Sequence, residues 1–202
     1  AGAAGVAAIV DPAFEGDRIL RLAAARGWRI AAVLVTHGHD DHVEAVAEVA
    51  AATGAAVYAH PLEVARLREL CGERGVPGER VIAVADGQEI SIGGDRVQAI
   101  FAPGHAPGCV CWFVPSAPAL CTGDVLFVGS CGSASDPIAY VDTLQRRIAA
   151  LPEMTRIYPG HDYGETPTST LAWELSANPA LLAMSVAEFC TYKGISPPRA
   201  GR

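Results

Sequence analysis

The segment Thr36-His37-Gly38-His39-Asp40-Asp41-His42 packs three imidazoles and two carboxylates into six consecutive residues. Crowded histidines repel one another when protonated and need partners when neutral. A divalent cation meets both needs, because imidazole nitrogen and carboxylate oxygen are among its usual ligands. His37 and His39, two apart in an extended loop, can point the same way. A turn at Asp41-His42 can aim that pair at a neighbouring position. The competing interpretation is a solvated loop at a helix start, with Asp40 or Asp41 as the N-cap.

The remaining candidates favour the metal. Two of the other three histidines sit in Gly-flanked turns after strand-like runs, Pro103-Gly104-His105 and Pro159-Gly160-His161. Asp124 follows the same grammar in Leu120-Cys121-Thr122-Gly123-Asp124. Singly, each of these is an ordinary turn; together with the first segment they outline a metal centre. His60, before Pro61, is left over and is assigned a structural role. Gly38, between two candidate ligands, predicts a backbone geometry that a side chain would obstruct.

Positioning these residues requires an α/β chain. Apolar runs at Val6–Val10, Ile30–Val35 and Ala56–Ala59 read as strands, alternating with helical patterns at Asp17–Arg26, Val43–Ala52 and Leu62–Leu70. The middle turns to short strands between Gly and Pro: Val81–Val84, Glu89–Ile92, Arg96–Phe101, Val110–Val114 and Leu120–Thr122. Helix returns at Tyr140–Leu151, a strand at Arg156–Tyr158, and helices at Leu171–Glu174 and Ser185–Phe189. Pro197–Arg202 reads as a polar tail.

The bulk properties narrow the function. A chain of 202 residues suits one domain. Its formal charge of −7, with no Lys/Arg-rich run, argues against nucleic acid. No stretch is long and apolar enough for a membrane span. The opening AGAAGVAAIV reads as a strand, without the basic start of a secretory leader. Six cysteines include no Cys-x-x-Cys pair and read as buried thiols of a reducing compartment. The expected location is the cytoplasm. Nor does a Gly-x-Ser-x-Gly elbow suggest a serine nucleophile.

Thr36–His42 followed by His105, Asp124 and His161, with APGHAPG (102–108), TGDVLFVGSCG (122–132) and YPGHDYG (158–164), resembles the metallo-β-lactamase superfamily. Within it the chain is similar to the hydroxyacylglutathione hydrolase (type-II glyoxalase) branch, the match continuing into STLAWELSANPAL (169–181). The resemblance implies an αβ/βα four-layer sandwich, a single domain over 1–202 with a short helical extension over 167–202. It implies one metal on His37, His39 and His105, a second on Asp41, His42 and His161, and Asp124 bridging, with Asp41 and Asp124 counted as catalytic. Zinc is the expected metal, with iron or manganese as alternatives.

The implied activity is hydrolysis of a small acyl-glutathione-like thioester by a metal-bridging hydroxide, with Tyr163 contacting substrate. One departure concerns the carrier: after Cys131-Gly132, where glutathione-binding relatives carry a basic residue, stand Ser133, Ala134 and Ser135. Persulfide dioxygenases are similar too, and would imply a single iron on His37, His105 and Asp124. The third alternative is a non-enzymatic, metal-stabilised binding protein.

Overall fold

The computed structural model describes residues 5–198. The first four residues of the opening segment and the last four of the tail lie outside this range. Ten strands form two sheets. The first is all-parallel, in the order β1 (Val6–Val10), β2 (Arg29–Leu34), β3 (Ala56–Ala59) and β4 (Val81–Ala83). Its crossovers run through α1 (Gly16–Ala25), the short α2 (Asp40–Val43) with α3 (Val46–Thr53), and α4 (Pro61–Gly72). Parallel strands need such helical connections, and these cover one face of the sheet.

The second sheet contains β5 (Glu89–Ile92), β6 (Asp95–Phe101), β7 (Val110–Val114), β8 (Ala119–Gly123), β9 (Arg156–Pro159) and β10 (Ser169–Thr170). Its order is β10-β9-β8-β7-β6-β5, antiparallel except where β8 pairs with β9. Its outer face carries α5 (Pro137–Asp142), α6 (Leu171–Ala177), α7 (Pro179–Leu182) and α8 (Val186–Lys193).

Three apolar clusters define the four layers. One lies between the first sheet and its helices, around Val33, Val46, Val57 and Leu67. The second lies under the later helices, around Leu120, Leu144, Ile157 and Phe189. The third joins the sheets through Ala32, Leu34, Ala99 and Trp112. The Trp112 indole N–H donates to the Val35 carbonyl at 3.2 Å, and Val110 N–H donates to the Thr36 carbonyl at 2.8 Å. These two bonds lock the sheets together just below the His-rich loop.

Local signals explain most element boundaries. Pro61 opens α4 while His60 Nδ1 accepts from Leu62 N–H, so His60 is a helix cap. α8 begins in a Ser185/Glu188 capping box and ends at Gly194 with φ +64°. The helix expected over Tyr140–Leu151 begins earlier, at Pro137, because Asp136 accepts from Ile138 and Ala139 N–H. It then widens into a π-helical turn over Thr143–Ile148.

The competing interpretation, with Asp40 or Asp41 as a side-chain N-cap, does not hold. His39 occupies the N-cap position of α2 without a side-chain cap bond, and Asp40 instead pairs with Arg66. All six cysteines are free thiols. No helix among the described residues is long and apolar enough to cross a membrane.

Candidate metal centre

Topology brings the histidines together. β6, β8 and β9 run in one direction, since β7 is antiparallel to both β6 and β8 while β8 and β9 are parallel. Their carboxyl ends therefore deliver His105, Asp124 and His161 to the same edge, and the loop after β2 brings residues 36–42 across from the other sheet.

Two trios of ligand atoms result: His37, His39 and His105, and Asp41, His42 and His161, each within 4.8 Å of one another. In the first, His37 Nε2 and His105 Nε2 lie 2.9 and 3.2 Å from His39 Nδ1. In the second, His161 Nε2 lies 3.4 Å from Asp41 Oδ2. Asp124 stands between them. Its Oδ2 is 3.7 Å from His105 Nε2, while its Oδ1 is 3.2 Å from His42 Nε2 and 3.5 Å from His161 Nε2. All seven residues singled out in the sequence thus meet at one place.

The donor atoms fit cations. His42 Nε2 and Asp124 Oδ1 are buried yet have no hydrogen-bond partner, although they approach within 3.2 Å. Buried polar atoms are rarely left so, because each costs about 1–3 kcal/mol. Either a cation or a shared proton between them accounts for both atoms. Gly160 keeps this space open: a Cβ there would stand 2.7 Å from His42 Cε1 and 2.8 Å from Asp124 Oδ1.

Behind the ligands lies a set of orienting bonds. His105 Nδ1–H donates to the Ser133 carbonyl at 2.9 Å, leaving Nε2 as the free lone pair. His42 Nδ1 bonds Asp11 Oδ2 at 2.8 Å. Asp11 also accepts from Thr36 N–H at 2.7 Å and from the Thr36 hydroxyl at 2.5 Å. With both oxygens engaged, Asp11 supports His42 and does not compete as a ligand, although its carboxylate also falls in a trio with His37 and His42. Tyr140, fully buried, donates to the Asp124 and Val125 carbonyls at 2.9 and 3.0 Å, anchoring the backbone under the shared carboxylate.

Asp11, Tyr140 and Glu63 escape a search for ligand patterns. Asp11 sits in an Asp-Pro that reads as the end of a strand. Glu63 reaches from α4 to where a side chain at Gly38 or Gly108 would have to be.

The electrostatics divide the two trios. Burial, reinforced by the His42 and His105 charges, pushes His37 down to about 3, so it is neutral and ready to ligate. Burial likewise lowers His105. Burial also opposes protonation of His42, but the Asp11 and Asp124 carboxylates overcome it and raise His42 to about 10. Burial works to raise Asp124, yet the neighbouring histidines, His42 foremost, bring it below the ordinary value.

At the mouth, Tyr163 stacks on His161 with ring centroids 4.9 Å apart and planes 11° from parallel. Phe127 meets both rings edge-on.

Fold and site together define an αβ/βα sandwich with a clustered His/Asp site at one edge, and comparison places it in a family. Residues 3–161 match the family model of the metallo-beta-lactamase superfamily, and the chain belongs to that superfamily. A hydroxyacylglutathione hydrolase of Fuscovulum blasticum is 36% identical over 186 residues, covering 90% of this chain and 67% of that protein. The crystal structure of ETHE1 from Myxococcus xanthus superposes with a TM-score of 0.83 at 26% identity, covering 98% of this chain and 85% of that one. TTHA1623 in a di-iron-bound form gives a TM-score of 0.68 at 33% identity, over 84% and 87% of the two chains. The chain spans between 55% and 67% of the curated hydroxyacylglutathione hydrolases it matches.

Proposed function

We propose that the protein is a binuclear thioester hydrolase acting on a small acyl-glutathione-like compound, with one cation on His37, His39 and His105 and another on Asp41, His42 and His161. The observation that carries this is the pair of trios sharing Asp124, with Oδ2 toward one and Oδ1 toward the other. A single iron on His37, His105 and Asp124 would leave the gathering of Asp41, His42 and His161 within 4.8 Å without a role. The relatives named hydroxyacylglutathione hydrolase and the di-iron neighbour support the same reading.

A pair of divalent cations supplies a water ionised near neutral pH and a Lewis-acid contact for the substrate carbonyl oxygen. The protein does the rest. Asp124 holds the two trios at a fixed separation. Asp11 and the Ser133 carbonyl take the outward protons of His42 and His105, so that the inward nitrogens stay free. Asp41, half exposed at the rim with Oδ2 beside His161, is placed to receive the proton released from water. The leaving thiolate, with an ordinary pKa near ~8.5, departs without a proton donor. The stacked Tyr163 walls the entry and orients the thiol carrier.

The test is metal content measured together with two assays. Two cations per chain and turnover of an acyl-glutathione are expected. One iron per chain, with oxygen consumed on a persulfide and no thioester cleavage, would overturn the proposal.

A further inference from the structure

His60, Glu63 and Arg66, at the cap and in the first two turns of α4, are spaced three apart and so share one side of the helix. That side faces the loops that carry the first trio. The His60 ring packs on Phe101 with centroids 4.3 Å apart, and Phe101 closes β6 just before the loop to His105. Arg66 pairs with Asp40, the residue after His39. Between these two contacts stands Glu63, half-buried, with its carboxylate against a glycine of each loop.

The two glycines exist for one reason. Neither Gly38 nor Gly108 is among those with positive φ, so neither backbone demands the residue. What excludes a side chain at both is Glu63. A Cβ on Gly38 would stand 2.0 Å from Glu63 Oε2. A Cβ on Gly108 would stand 2.2 Å from Oε1 and 3.0 Å from Cγ. Each oxygen thus rests on one loop, and the carboxylate cannot turn from one without pressing on the other. Gly38 lies between His37 and His39, and Gly108 lies three residues beyond His105.

The trio needs such a support most at His39. His37 and His105 each have a bond on the nitrogen facing away from the site, to the Thr36 hydroxyl at 3.1 Å and the Ser133 carbonyl at 2.9 Å. Among the described residues the His39 ring bonds only those two histidines, and it is exposed. Its place is therefore set by the backbone at Gly38, on which Glu63 rests.

Resting on the two-cation reading above, we infer that Glu63 is a positioning residue for the first cation. Its carboxylate is the spacer that holds the His37–His39 loop and the His105 loop, which come from different sheets, at the separation where their three imidazoles converge. The length of the side chain sets this separation, and Gly38 and Gly108 are the recesses that receive it.

The experiment titrates zinc against a competing chelator in the full chain, with the cobalt(II) ligand-field spectrum and the melting of the chelated protein as further readouts. Glu63→Ala is expected to weaken one of the two sites about tenfold, the lower end for loss of a supporting residue, and to leave the other unchanged. Glu63→Gln, which keeps the length, should retain wild-type affinity and the wild-type cobalt spectrum, whereas Glu63→Ala should alter the spectrum. Gly108→Ala should weaken the same site about tenfold by itself. Combined with Glu63→Ala it should cost nothing more, because the obstructing carboxylate is then gone. The chelated variants should melt together with wild type, which a general role in folding would not allow.

Equal losses from Gly108→Ala with and without Glu63→Ala, equal losses from Glu63→Gln and Glu63→Ala, or wild-type affinity throughout would overturn the spacer. Two bound cations would then leave the hydrolase reading standing. One cation per chain in wild type, with its affinity still coupled between positions 63 and 108, would uphold the spacer and sink the two-cation reading.

Discussion

Replacing Asp11 by Asn tests how the second trio is made competent. Three hydrogen bonds converge on the Asp11 carboxylate: from Thr36 N–H at 2.7 Å, from the Thr36 hydroxyl at 2.5 Å and from His42 Nδ1 at 2.8 Å. An amide of the same shape has one accepting oxygen instead of two, and its NH₂ would face a donor. The imidazole escapes that clash by moving its proton to Nε2, the atom that faces Asp124 and is needed as a lone pair. Loss of such an orienting partner typically weakens a metal site 10- to 100-fold, which is about 1.4–2.7 kcal/mol. Asn is the appropriate probe because Asp11 has φ +43°, a conformation that Asn tolerates and most residues do not. Zinc titration against a competing chelator should show one site as tight as in wild type, from His37, His39 and His105, and one weakened by that factor. If both sites keep wild-type affinity in Asp11→Asn, the carboxylate does not orient His42 and the argument fails.

Other consequences follow from the same geometry. His39→Ala and Asp124→Ala should each abolish turnover while leaving a cooperative thermal transition; full activity with unchanged metal content would refute the ligand assignment. Gly38→Val should weaken zinc binding measurably in equilibrium dialysis, because a Cβ there runs into the Glu63 carboxylate. Gly38 is not among the positive-φ glycines, so the obstruction comes from a neighbour and not from backbone strain, and normal affinity would show that Glu63 moves aside. Metal uptake should release protons at pH 7, since His42 is raised to about 10 and must lose its proton to ligate, whereas His37, lowered to about 3, is already neutral. Apparent affinity of the second trio should therefore climb as pH rises from 7 toward 10, and calorimetry in buffers of different ionisation enthalpy would expose an absence of proton release.

Much of this site is written in local sequence. The His37–His42 run and the Gly-flanked His105, Asp124 and His161 are visible because each follows a strand and precedes a turn, a pattern that short-range chemistry alone dictates. Strands such as Ala56–Ala59, Glu89–Ile92 and Val110–Val114 begin and end where their apolar runs do. The supporting residues are harder to see because their partners are distant. Asp11 acquires its role only because β1 lies parallel to β2, with Val10 opposite Leu34, which carries the next residue up to Thr36 and His42. Tyr140 looks like any aromatic of a helical stretch until α5 packs beneath Asp124. Glu63 lies in a helical stretch, where nothing near it in sequence announces a metal loop. The π-turn over Thr143–Ile148 is likewise invisible to a 3.6-residue periodicity.

Two carboxylates flank His42, and their opposite states of satisfaction explain which one is a ligand. Asp11 has every acceptor engaged and so spends its charge orienting the ring. Asp124 has an oxygen buried without a partner, beside a nitrogen in the same condition. In the metal-free protein at pH 7 the proton held by His42, whose pKa is raised to about 10, joins these two atoms, so a cation must displace that proton to bind. Metal binding should then raise stability as well as confer activity, by about 4 kcal/mol when free metal is a thousandfold above its dissociation constant. Thermal melts of the chelated and zinc-loaded protein would measure this. Chelated Asp124→Ala should be less stable than chelated wild type near pH 7, because it leaves the protonated His42 ring facing only Asp11. Equal stability of the two chelated forms near pH 7 would show that Asp124 shares no proton with His42 in the absence of metal.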